Sequence, residues 1–139
     1  MNRIFIGIMI FATLAQGCKK DASPTNMVNE MVDTSARVTY TGMFENGPFG
    51  TTSGSAKIYL QNGKYVLAFE NFVTSNGPDL HVYVSREKLP LNFIDLGKIK
   101  STNGNQVYTI NSSFSLADYK YALVHCQQFN HLFGSAELK

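Results

Sequence analysis

Apolar and polar residues alternate with a period of two along residues 56–61 and again along residues 64–70. Side chains of a β-strand point alternately to its two faces, so each run predicts a strand that is buried on one face. Asn62 and Gly63 lie between the two runs, and this dipeptide favours a type I′ turn, which needs positive φ at both central residues. The two runs are therefore predicted to form a β-hairpin.

Further runs of the same kind follow at short intervals, separated by Gly, Asn, Ser and Pro clusters. They cover residues 37–44, 80–85, 93–99, 106–110, 121–127 and 132–138. A helical period is not sustained anywhere, although residues 115–119, with Asp118 three residues after Ser115, predict a single helical turn. Seven or eight short strands at this spacing predict an all-β fold, either an antiparallel β-sandwich or a small barrel.

The start of the chain has a different pattern. Residues 4–15 follow Arg3 and carry no charge, which matches the apolar region of an export signal and is shorter than the about 20 residues that span a bilayer. Small residues then lead directly into Cys18. This arrangement resembles a bacterial lipoprotein signal peptide, in which the peptidase cuts just before a diacylated cysteine. The alternative is an ordinary secretory signal that is cut near Gly17 and leaves Cys18 free.

These features predict three parts of the chain. Residues 1–17 are the signal peptide, residues 18–36 are a lipidated cysteine with a flexible tether, and residues 37–139 are the β domain. The weakly apolar positions between Met27 and Val32 predict one loose turn of helix within the tether. Lipidation of Cys18 predicts a membrane-anchored protein of the bacterial cell envelope, because each buried methylene of an acyl chain contributes about 0.8 kcal/mol.

Composition and charge exclude several classes of protein. A chain of 139 residues accommodates one domain, and 44% hydrophobic with 16% charged residues excludes disorder over its whole length. The formal net charge is only +2 and the lysines are scattered singly, so a nucleic-acid-binding surface is not expected. Ser-His-Asp sets, paired catalytic carboxylates and phosphate-binding glycine loops are also missing from the sequence, and the sequence does not decide whether the protein is an enzyme.

The two cysteines carry the candidate chemistry. If Cys18 is lipidated, Cys126 has no partner in the chain, and an unpaired thiol in an oxidising compartment is either buried or used. Cys126 shares one face of its predicted strand with Ala122 and Val124, whereas His125 lies on the other and is poorly placed to activate the thiol. Cys126 is thus a buried small hydrophobe, or a thiol that exchanges or is oxidised.

Two cofactors are possible at Cys126. With His131 and His81 it could form a blue-copper set, but His81 alternates away from the apolar face of its strand, and a methionine that could serve as axial ligand does not follow Met43. Haem bound through the thiolate is the other possibility, although the chain has no C-x-x-C-H attachment motif. Haem therefore stays open, and copper has little support.

Several motifs occur in an order that resembles the DM13 domain. The most telling are Gly77-Pro78-Asp79, followed by an apolar strand, and the pattern Cys-x-x-Phe-x-x-x-Phe-Gly of residues 126–134. The resemblance covers residues 37–139. It implies an extracytoplasmic all-β domain that takes part in electron transfer or redox modification through Cys126, either as a bare thiol or by holding a group such as haem. Animal relatives carry this domain beside DOMON and cytochrome modules, so we expect a separate redox partner protein.

Other residues of the pattern are expected to be structural. Asp79 is predicted to brace its turn by accepting from nearby backbone N–H groups. Phe69, Phe72, Phe129 and Phe133 are predicted to be core residues, although their spacing also allows a ligand pocket that Tyr83 and Tyr108 could extend. Two functions stay open: a membrane-tethered redox module acting through Cys126, and a non-catalytic binding or structural lipoprotein in which Cys126 is packing.

Overall fold

A computed structural model of the chain describes residues 22–111 and 115–139. They form nine β-strands and one turn of 3₁₀ helix, Leu116–Asp118. The strands are β1 (Val28–Asn29), β2 (Arg37–Asn46), β3 (Thr52–Gln61), β4 (Lys64–Thr74), β5 (Leu80–Ser85), β6 (Phe93–Lys98), β7 (Gly104–Thr109), β8 (Tyr121–Cys126) and β9 (His131–Glu137). Within these residues, no helix has the length and apolar character needed to cross a bilayer. The predicted signal peptide, residues 1–17, and Cys18 lie outside the described residues.

The strands form a single curled sheet in the order β1-β7-β4-β3-β2-β9-β8-β5-β6, a half-barrel. All neighbours are antiparallel except β1 and β7. Strand β2 belongs to both halves of the sheet, because residues 37–43 pair with β3 and residues 44–46 pair with β9. The predicted all-β fold is confirmed, with one curled sheet in place of two separate sheets.

The predicted hairpin is present between β3 and β4. Gln61 pairs with Lys64, and the two residues between them have φ of 50° at Asn62 and 73° at Gly63. Both central residues thus have the positive φ that a type I′ turn requires. The other predicted strands are also present, and the predicted helical turn near Ser115 is the 3₁₀ turn, although the side chain of Ser115 makes no capping hydrogen bond.

The concave face of the sheet closes over one hydrophobic cluster to which seven of the strands contribute. Phe69 and Phe72 are fully buried there, with ring centroids 4.7 Å apart, and Phe133 is also buried. These three core predictions are confirmed. The core prediction for Phe129 is wrong, since this side chain is 46% exposed. Phe129 lies in the turn between β8 and β9, where the alternation of strand positions does not apply.

The chain before β2 lies against the sheet. Val28–Asn29 pairs in parallel with β7, and the carboxylate of Glu30 accepts from the backbone N of Val107 at 2.8 Å and from Lys100 Nζ at 2.6 Å. Strand pairing therefore starts before the predicted boundary at Arg37, and Val28 is extended instead of lying in the predicted turn of helix. The unpaired edge of β7 offers backbone hydrogen bonds that an isolated helical turn could not match.

Candidate functional site

Cys126 is the last residue of β8 and lies opposite Leu80 of β5 and His131 of β9. Its side chain is 1% exposed and belongs to the hydrophobic cluster on the concave face, together with Ala122 and Val124. The prediction that these three residues of β8 share a face is confirmed. That face is the packed interior of the half-barrel.

These surroundings limit what the thiol of Cys126 can do. It is a free cysteine, and a free cysteine in an apolar layer behaves as a small hydrophobe, whereas a reactive one needs partial exposure. Cys126 is followed directly along the chain by the exposed turn of residues 127–130. Haem does not fit at this sulfur, because a bound macrocycle would need open space where the cluster is packed.

The two histidines considered for a copper site lie elsewhere. His81 projects from the convex face, where its ring nitrogens meet carboxylates, and the ring of His131 stacks on that of Phe49 with centroids 3.7 Å apart. Across residues 22–111 and 115–139, no group of three or more His, Cys, Asp or Glu side chains is arranged to hold a metal ion. The Cys-His-His set is thus not assembled in this fold.

On the convex face, directly behind Cys126, aromatic and imidazole rings lie side by side. His81 pairs with His125 across β5 and β8, and the ring of Tyr83 lies 5.5 Å from that of His125 and 6.3 Å from that of His81. Phe93 stacks on Tyr83 at 4.3 Å and is itself 40% exposed. The rings therefore run from the protein surface to the strand that carries Cys126.

A polar network closes the end of this face. Nδ1 of His81 lies 2.9 Å from Asp95 Oδ2, and Nε2 lies 3.3 Å from Asp79 Oδ1. An imidazolium can donate to both carboxylates, whereas a neutral ring can donate to only one. Gln127 Nε2 donates to the hydroxyl of Tyr83 at 3.1 Å and to Asp95 Oδ2 at 3.2 Å. We call these five residues, Asp79, His81, Tyr83, Asp95 and Gln127, the His81 network.

Two groups on this face have shifted pKa values. Burial raises the pKa of Tyr83 above its ordinary value, and the negative charges of Asp95 and Asp79 act in the same direction. Burial lowers the pKa of His125, against the opposite effect of its hydrogen bond with Asn130. His125 is therefore favoured as a neutral ring whose Nε2 donates to Asn130 Oδ1 at 3.0 Å. Its Nδ1 is buried and has no hydrogen-bond partner among the described atoms.

The prediction that the Asp79 carboxylate accepts from nearby backbone N–H groups is wrong, since the described partners of this carboxylate are side chains. The backbone carbonyl of Asp79 accepts from Gln127 N at 2.9 Å, which ties the turn of residues 127–130 to the start of β5. Its carboxylate lies within 4 Å of both His81 and Lys98, at 3.3 and 3.7 Å. The residue thus holds two loops together and also takes part in the His81 network.

Sequence reasoning missed the other polar members of this site. Asp95 and Gln127 face His81 only because β6 and β8 flank β5 in the sheet. The loop of residues 86–92 between β5 and β6 is long, so hairpin rules do not fix its register. The sequence signal that could have indicated this site is the alternation within β5, which places His81 and Tyr83 together on one face. The proposed ligand pocket extended by both tyrosines does not form, since Tyr108 lies in the concave cluster and Tyr83 on the convex face.

Comparison with known proteins gives one match. The family model described as "Electron transfer DM13" matches residues 43–138, well over half of the chain, and this range contains Cys126 and the whole His81 network. No curated protein and no solved structure matches the chain.

Proposed function

The chain belongs to the DM13 family, described as an electron-transfer family, and from this premise we propose that it is a lipid-anchored redox module of the bacterial cell envelope that acts through Cys126. The observation that carries the proposal is the position of this residue. Cys126 is a free thiol inside the family-matched region, at the very end of a strand and directly before an exposed turn. In this proposal, the sulfur becomes accessible when that turn moves.

The hydrogen bonds of Gln127 control access to Cys126 in this proposal. Its backbone N donates to Asp79 O at 2.9 Å, and its side chain donates to Tyr83 at 3.1 Å. Both bonds hold the first residue of that turn in place. The described residues include no second cysteine for an internal disulfide, so the electron donor and the electron acceptor are both separate molecules.

Thiol titration in the native state tests this role. Maleimide labelling of the purified protein, with Cys126→Ala as the blank, is expected to proceed slowly without denaturant and fast with it. Gln127→Ala should accelerate native labelling because it removes the side-chain bonds that hold the turn, whereas the exposed neighbour Gln128→Ala should not. Labelling that occurs only in denaturant, in both variants, contradicts a working thiol. An absorption spectrum of the same sample reports any coloured cofactor.

The lipid anchor is the second part of the proposal and rests on Cys18. Small residues before this cysteine and an uncharged run before them support lipidation. Mass spectrometry of the N-terminal peptide should show an acylated Cys18 as the first residue. Cys18→Ala should move the protein from the membrane fraction to the soluble fraction, and an unmodified cysteine in the wild type would exclude the anchor.

Burial of the sulfur favours a second function. With Cys126 only 1% exposed, the domain could serve as a non-catalytic binding module in which the thiol is packing. Cys126→Ala would then lose some stability and keep its biological role, whereas the redox module would lose its role with the thiol.

A further inference from the structure

The first described residues are fastened to one end of the sheet. The hydroxyl of Ser23 donates to Gly77 O at 2.8 Å, and its backbone N donates to Asn76 Oδ1 at 3.1 Å. Asn76 Nδ2 returns a hydrogen bond to Ser23 O at 3.1 Å. Ser23 is buried by these contacts, which we call the Ser23 clamp.

The Ser23 clamp lies at the end of the sheet that carries Cys126. The backbone N of Leu80, the first residue of β5, lies 3.4 Å from Ser23 Oγ, and Leu80 faces Cys126 across the ladder between β5 and β8. The loop containing Phe49 is at this end too, because Phe49 N donates to Leu132 O near the start of β9. We call this the clamp end of the sheet. The hairpin turn after β3 lies at the opposite end, which also carries Tyr65.

The anchor leaves the domain from the clamp end over a very short distance. Four peptide steps separate Cys18 from Ala22, and a fully extended chain spans at most about 14 Å over four residues. Strand β3 has 10 residues and is about 30 Å long at the usual rise per residue. A lipid on Cys18 therefore keeps the clamp end close to the bilayer, whereas the opposite end can stand a full strand length away.

The clamp end also exposes aromatic side chains on two separate loops. Phe49 is 54% exposed and Phe129 is 46% exposed. Both rings lie beside His131, with centroids at 3.7 and 5.9 Å from that of the imidazole. Apolar side chains held at a membrane surface enter about 5–10 Å into the boundary between headgroups and acyl chains.

From these observations we infer that the clamp end is a membrane-binding surface, with Phe49 and Phe129 seated in the interface of a phospholipid bilayer. This inference rests on the proposed lipidation of Cys18. It gives the domain a fixed orientation, in which the turn that follows Cys126 faces the membrane together with the His81 network. The hairpin at the opposite end points away from it.

Single tryptophans test the orientation, because the chain has no native Trp. Phe49→Trp, Phe129→Trp and the control Tyr65→Trp at the opposite end are introduced separately into the full chain. Each lipidated protein is reconstituted into phosphatidylcholine vesicles with brominated acyl chains. We expect blue-shifted, quenched emission at positions 49 and 129, and unquenched emission at position 65. Equal quenching at both ends, or stronger quenching at position 65, overturns the inference.

The controls separate this inference from the proposed function. Mass spectrometry of the reconstituted protein reports acylation: an unmodified Cys18 overturns the proposed anchor and the orientation that rests on it, whereas an acylated protein without selective quenching overturns only the orientation. Asn76→Ala loosens the Ser23 clamp and should reduce the difference in quenching between the two ends. Ser35→Ala, which removes an exposed hydroxyl bonded only to nearby Asp33 among the described contacts, should leave that difference unchanged.

Discussion

The burial of Cys126 makes a quantitative prediction about two substitutions at this position. Cys126→Ala removes the sulfur and leaves a small cavity in the concave cluster. Cys126→Ser keeps nearly the same shape and places a hydroxyl there. The comparison distinguishes a packed sulfur from one that already meets water.

The expected losses of stability follow from the surroundings of the Cys126 side chain. Loss of one methylene-sized group from an apolar layer costs about 0.8 kcal/mol, and the residual cavity raises this to about 1–1.5 kcal/mol for Cys126→Ala. A buried hydroxyl without a partner costs about 1–3 kcal/mol. Because Cys126 is packed among residues such as Leu80 and Val124, we expect Cys126→Ser to be the less stable variant, by about 2 kcal/mol relative to the wild type.

Urea unfolding followed by circular dichroism measures these differences, provided that the slopes with denaturant agree among the variants. Val73→Ser is a matched control, since it introduces the same hydroxyl at a half-exposed strand position and should change the free energy of unfolding by only about 0.5 kcal/mol. A Cys126→Ser variant as stable as the wild type, or more stable than Cys126→Ala, would refute the packing argument. The sulfur of the wild-type protein would then already be in contact with polar groups or water.

Three further predictions concern the sheet and its pH dependence. Gly63→Ala should lower the free energy of unfolding in urea by about 1 kcal/mol. The loss comes from the φ of 73° at this residue, because nothing lies within 4 Å of the added methyl group. An unchanged free energy of unfolding would mean that the turn relaxes. Gly134→Ala should lower the free energy of unfolding by about 3 kcal/mol, because its methyl group would meet Cβ, Oγ1 and Cγ2 of Thr52, and the double variant with Thr52→Gly, which removes all three atoms, should recover part of this loss. Stability should fall as the pH drops below about 6.5, the ordinary pKa of histidine, because the lowered pKa of His125 means that the unfolded chain binds a proton first. His125→Gln should weaken this dependence of the free energy of unfolding on pH, and an unchanged dependence in His125→Gln would contradict the assignment.

Local signals explain which parts of the fold the sequence predicted. The hairpin of β3 and β4 rests on alternation and on a two-residue turn, which are contained in one short stretch of chain. The shared face of Cys126, Ala122 and Val124 likewise followed from their parity. These predictions are correct because they depend only on residues that are close together along one stretch of chain. The tertiary contacts are consistent with them.

The remaining features depend on partners that are distant in sequence. The pairing of Val28 with β7 and the meeting of Asp95 with His81 both require knowledge of which strands are neighbours. The exposure of Phe129 depends on where β8 ends, and strand ends are poorly determined by alternation. The candidate site was therefore predicted as a single cysteine, and its polar surroundings came from the topology of the sheet.

Strand β1 affects how copies of this protein can associate through the edge of the sheet when they are crowded together. Open backbone groups along the border of a sheet invite another chain to add a strand, which is a common route to aggregation. Val28–Asn29 occupies part of that border at Gly104 and Asn105, and it comes from the segment directly before the domain. Copies packed side by side would thus find this part of the border already occupied by residues 28–29 of the same chain.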